Sequence, residues 1–186
     1  AMTTLQIANM ETADLAALTT AQVVGLTTDQ IKVLTTDQIP ALKSAQIAAI
    51  ETADFTLMTT NELQALTSTQ AAALSSRQIA ALNTLQIARL ETEDLASLTT
   101  GALRGMSTDQ IVALTTDQIP ALKTAQIASL TTAQVAAMQT VDVAQLTTTQ
   151  IAALTTAQLA AMSDTQLAAL GASSLTIMSS SQISNM

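Results

Sequence analysis

Stepping by eight residues from Met2, all 24 positions through Met186 are Leu, Met or Ile, with no insertion or deletion anywhere. With that residue as position 1, the consensus is Leu-Thr-Thr-x-Gln-Ile-Ala-Ala, as in the octad from Leu154 to Ala161. Position 6 is apolar throughout, running from Ile7 through Phe55 to Ile183, with Ala71 its one very small member. Position 3 is Thr or Ser in 21 of 23 octads, Asp164 and Ala172 being the exceptions, and position 5 is Gln in 16 and Asp in four. Positions 7 and 8 are mostly Ala, which predicts close approach of neighbouring backbones. Position 4 changes freely, from Ala21 to Asp37 to Arg77, and reads as exposed.

One continuous helix does not fit this pattern. Eight residues at ~100° each advance the face by ~80° per octad, so the apolar positions would wind around the helix and form no stripe. A break in every octad solves the problem. Thr or Ser at position 3 is a favoured N-cap, its oxygen able to accept from an N–H two or three residues on, and Asp29, Asp37, Asp109 and Asp117 would then favour the helix start. The other register places the cap at position 2 with Gln at N3, a capping box such as Thr115 to Gln118. Position 3 is the expected cap, because position 2 accepts Glu11, Lys43, Glu51, Lys123 and Gln139. Pro40 and Pro120, both at position 7, fit segments too short to need a full hydrogen-bond ladder.

The predicted fold is an all-α superhelical solenoid of short helical segments, one per octad, with positions 1 and 6 buried. It forms a single tandem-repeat unit over residues 2–186, about 23 octads, in which 171–186 reads as a degenerate terminal repeat or cap. One Leu and one Ile cannot offset the entropy of ordering eight residues, so octads must stack, and stability becomes a nearest-neighbour property. A β-solenoid is the rival, opposed by abundant Ala and Gln and scarce Gly and Val. A longer period overlies the octad: Glu11 to Asp14, Glu51 to Asp54 and Glu91 to Asp94 recur every 40 residues, and Leu34 to Ile47 returns nearly verbatim as Leu114 to Ile127. Either five octads complete a whole number of superhelical turns, or duplication alone left the pattern.

Composition narrows the chemistry. Phe55 is the one aromatic residue, and Trp, Tyr, His and Cys are absent, so the core must be thin and aliphatic. Six basic against fourteen acidic residues, a net charge of -8, argue against a nucleic-acid partner. Apolar runs fall far short of the ~18 residues of a membrane span. No basic stretch followed by an apolar one opens the sequence, so any targeting signal is expected to lie outside these residues. The methionines alternate freely with Leu at position 1 and read as core filling.

The candidate constellation is a Glu/Asp pair at spacing three: Glu11 with Asp14, Glu51 with Asp54, and Glu91 with Glu93 and Asp94. On one side of a helical turn, stacked pairs could form a carboxylate ladder for a hard cation such as Ca²⁺. Against this, Asp replaces Gln at position 5 and Glu solvates a corner, with none of the spacing of known calcium loops. The expectation is therefore no metal, cofactor-binding or catalytic residue and no cofactor, and the chain is read as not an enzyme.

The Leu-Thr-Thr-x-Gln-Ile/Val-x-Ala-Leu pattern, cleanest from Met106 through Met162, resembles repeat regions of very large secreted or surface proteins of proteobacteria, described as adhesin-like. The resemblance spans nearly the whole chain. It implies an extracellular or cell-surface stalk or scaffold flanked by further domains, with self-association open, and it supplies no site residues. A spacer or scaffold is thus the expected function, and a binding module using the exposed faces is the alternative. Surface or ice binding through regularly spaced Thr is a third reading, weakened because capping already accounts for the Thr.

Overall fold

The computed structural model describes residues 2–184, without the side chain of Ser173; Met186, the last position-1 residue, and Asn185 lie outside the described residues. Short helical segments follow one another through the whole of that range, 21 α-helical and two 3-10, and no strand occurs among the described residues. Each octad contributes one. Thr156–Ala160 is representative: Thr155 enters it in an extended conformation, and the following octad opens with another break.

The corner between segments is built from positions 1 and 2. Leu154, at φ -60° and ψ 132°, ends one helix and keeps one bond back to it, its N–H donating to Ile151 O at 3.1 Å. Thr155, at φ -75° and ψ 158°, is also extended and begins the next helix. Two extended residues thus reset the helical phase, and the apolar positions face inward again.

Position 6 is buried in every octad from Ile7 to Leu159, and position 1 in every octad from Leu26 to Met178. Position 4 is exposed wherever its side chain is described. The exceptions to burial lie at the two ends. Met2, Leu175 and Ile183 are exposed, and Met10, Leu18 and Leu167 are half-buried.

Segments three octads apart pack together: Ser68–Ala71 against Thr92–Ser97, Ser76–Ala81 against Thr100–Arg104, and Thr124–Ser129 against Thr148–Ala153. Side chains that bridge successive coils span 25 residues from Ser44 to Thr69, 26 from Thr28 to Asp54 and 27 from Gln139 to Val112. A coil of about 26 residues holds between three and four octads. Five octads consequently end about half a coil out of register, so of the two readings of the 40-residue period the coil favours duplication over a whole number of turns. The 80-residue recurrence of Leu34 to Ile47 falls close to three coils.

At one place, Gly105, position 8 of an octad comes close to position 3 of an octad in the coil below. At Gly105 an added Cβ would lie 2.8 Å from Ser76 Cβ and 3.1 Å from Ser76 O. The proline octads keep the frame, Ile39–Ala41 as a 3-10 segment and Gln118–Ala121 as a short α-helix. Near the end, Gly171 takes φ 80°, a left-handed value that favours glycine, and introduces the 3-10 segment Ala172–Thr176. The octad frame survives it, since Leu170 and Met178 are buried and Ser179 caps the next helix.

Candidate functional site: the glutamine ladder and its acidic breaks

The N-cap of each segment stands at position 2, except that Ile39–Ala41 and Gln118–Ala121 begin later, after Gln38 and Asp117. Thr155 Oγ1 accepts from Gln158 N–H at 3.2 Å, while Thr155 N–H donates to Gln158 Oε1 at 2.8 Å, a reciprocal capping box. The same pair of bonds joins Thr35 to Gln38 and Thr115 to Gln118. The expectation that position 3 caps is therefore wrong by one residue. Thr156 is the first residue of its helix, while Thr36 and Thr116 lie in the turns that precede Ile39–Ala41 and Gln118–Ala121. The physical reason lies in the glutamine: its Oε1 binds the main-chain N–H of position 2, a contact that any side chain there permits. Lys43 and Lys123 keep this half of the box, donating through their backbone N–H to Gln46 and Gln126 at 2.6 and 2.7 Å. Tolerance of Lys at position 2 is thus compatible with its being the cap.

The other end of each glutamine ties the coils together. Gln158 Nε2 donates to Leu130 O, 28 residues earlier, at 2.8 Å and to Ile127 O, 31 earlier, at 2.9 Å. Gln70 reaches Leu42 O and Ile39 O in the same way, and Gln118 reaches Leu90 O and Ile87 O. Every position-5 glutamine from Gln30 to Gln182 donates to the carbonyl 28 residues before it. These amides are buried and nearly saturated, each joining a helix start to the corner of the coil below. Gln6 and Gln22, with no residue 28 positions earlier, are exposed. An opening of about 270 Å³ lies beside Gln22, lined by Met2, Gly25, Leu26, Thr27 and Gln30.

The Glu/Asp pairs do not share a side. Asp54 and Asp94 are buried at N3, in the place the glutamines take, whereas Glu51 and Glu91 stand exposed at the N-cap. Asp14, in the first coil, is exposed with Glu11. No group of three acidic, His or Cys side chains is placed to hold a metal ion among the described residues. Asp54 Oδ1 accepts from Thr28 Oγ1 of the coil below at 2.7 Å, and Asp94 accepts from Ser68 in the equivalent place. Burial pushes the Asp94 carboxyl up to about 6, against the Ser68 hydrogen bond and with a further upward push from Glu91 and Glu93. Burial also raises Asp142.

One signal in the sequence marks this substitution. Where position 2 is Glu or Gln, at Glu11, Glu51, Glu91 and Gln139, position 5 is Asp. Long and short side chains trade places, and Gln139 Nε2 crosses to Val112 O at 2.9 Å from position 2 instead of position 5. The exchange conserves the volume of the pair and moves its reach to the other end.

No curated protein matches the chain. A model of the ALTTAQ repeat does, five times, over residues 1–44, 47–84, 87–124, 119–148 and 135–172. With the repeat matched from one end of the array almost to the other, and octad after octad closed onto the coil below by the same glutamine, the chain belongs to the ALTTAQ repeat family.

Proposed function

We propose that this array is a non-catalytic spacer or scaffold within a larger secreted or surface protein. The observation that carries the reading is the glutamine ladder, which joins coil to coil by the same bonds from Gln30 to Gln182 and so makes length a simple multiple of octads. A solenoid with this nearest-neighbour construction is extended by adding repeats, with no change to those present. The resemblance to octad regions of large proteobacterial surface proteins supports the setting. Small-angle scattering on arrays of about 13, 18 and 23 octads tests the spacer: its longest dimension should grow linearly with octad number. A dimension that saturates would refute it. An antibody against the repeat should label intact producing cells; labelling only after permeabilisation would rule out the surface location.

A second reading, a binding module, is favoured by one observation. Leu57, Leu85, Val112 and Val141 are exposed and stand 28, 27 and 29 residues apart, about one coil each. Exposed large apolar side chains recurring from coil to coil are the kind of feature that serves interaction surfaces. Replacing Leu85 and Val141 by Glu should leave folding unchanged and abolish partner capture if these side chains bind.

A further inference from the structure

Asp94 and Asp142 are 3% and 2% exposed, and in each the Oδ2 oxygen is buried with no hydrogen-bond partner. Their place in the repeat defines the neighbourhood. At position 5 of other octads a glutamine Nε2 donates to the carbonyls 28 and 31 residues earlier, which for Asp94 are Leu66 and Leu63 and for Asp142 are Leu114 and Ile111. A carboxylate offers no donor to those carbonyls. An ionised Asp there leaves a buried oxygen unpartnered and supplies no donor to the coil below, whereas a neutral carboxyl carries one O–H and can take up the donor role that the glutamine has elsewhere. A cation would need more oxygen ligands and room, and no such group of side chains is present among the described residues.

We infer that Asp94 and Asp142 are proton-binding sites that lock successive coils together: each takes up a proton on folding, and its Oδ2–H serves the carbonyls of the coil below. Release of the two protons loosens the array at those two points and leaves the glutamine-bonded coils intact. The segments packed against them bring no cation that would keep either carboxylate charged. Around Asp94 the charged groups are Glu91 and Glu93 on its own segment, while Ser68–Ala71 and Gln118–Ala121, packed on either side, carry none, Asp117 standing just before the latter. Around Asp142 the segment Asp164–Ala169, packed against Thr140–Val143, brings only Asp164. The upward shifts of both carboxyls by burial agree with the geometry.

A carboxyl whose pKa is higher folded than unfolded binds more protons in the native state between the two values, so stability is greatest in acid and falls as pH rises through the folded pKa. For Asp94 that window runs from its ordinary value near 3.8 to about 6. The test is carbon-13 NMR of the Asp carboxyl carbons in the whole chain from about pH 3 to 9, with Asp94→Asn and Asp142→Asn as assignments. Two signals should titrate above the others, and each variant should remove one. In parallel, the unfolding equilibrium constant of the unmodified chain should rise roughly ten- to hundredfold between about pH 4 and 8, the range allowing for solvent screening. The double Asn variant should lose most of that rise. If all Asp carboxyls titrate together near their ordinary value, or the double variant keeps the full pH dependence, the inference is overturned. The titration of the unmodified chain decides the matter without any substitution, so a variant that fails to fold does not rescue the inference.

Discussion

Replacing Gln158 by Glu separates the two tasks of the ladder in one side chain. Glutamate keeps the oxygen that accepts from the position-2 N–H, as Glu62 does from Thr59 N–H at 2.7 Å. It removes the donor, so the bonds to Leu130 O at 2.8 Å and Ile127 O at 2.9 Å are lost and a carboxylate faces two carbonyls. Each lost bond contributes about 0.5–1.5 kcal/mol and each unsatisfied buried group costs about 1–3 kcal/mol, so the substitution should destabilise by about 3–5 kcal/mol at neutral pH. Gln158→Leu, which loses the capping bond as well but buries apolar atoms, should cost about 2–4 kcal/mol. Gln22 is the control, because its side chain is exposed and bonds only within its own capping box with Thr19. Gln22→Glu should therefore cost at most about 1 kcal/mol. Urea unfolding followed by circular dichroism in the helical band measures all three on the same chain. A midpoint for Gln158→Glu no lower than that for Gln22→Glu would refute the claim that position 5 holds coils together. Acid should partly restore Gln158→Glu, since a protonated glutamate regains a donor.

Thr155→Ala removes a cap and should cost ~0.5–2 kcal/mol, clearly more than Thr156→Ala, as read from the same unfolding curves; the reverse order would return the cap to position 3. Gly105→Ala drives a Cβ to 2.8 Å from Ser76 and should destabilise by about 1–3 kcal/mol, whereas Gly101→Ala, with only ordinary contact to Thr99 on a helix, should stabilise by about 0.5–1 kcal/mol; thermal melts of the two variants distinguish them. Deleting residues 115–154, five whole octads, should lower the thermal midpoint modestly, while deleting four residues should do more damage by putting every later octad out of phase; equal effects would contradict nearest-neighbour stacking.

The sequence alone determined the octad, the helical class, the inward faces at positions 1 and 6 and the exposed position 4, because all of these follow from a short period against the fixed geometry of a helix. A residue that must be Leu, Met or Ile every eight positions, with Thr between, can be buried only if the chain turns once per octad. The cap register was ambiguous from sequence, since positions 2 and 3 are both Thr in octads such as that of Thr115 and Thr116, and local propensity does not distinguish them. The tie was broken from 28 residues away. Gln118 must hold Leu90 O and Ile87 O with its nitrogen, and only with the cap at Thr115 does its oxygen reach a main-chain N–H as well. Coil length was likewise out of reach, because an identical octad stacks on any other and the pattern carries no mark of which neighbour lies above. That choice belongs to the tertiary structure, where side chains bridge from one coil to the next across about 26 residues. The same non-local geometry turns Asp94 from a plain variant of the position-5 consensus into a buried acid with one unpartnered oxygen, a state decided by the coil packed over it.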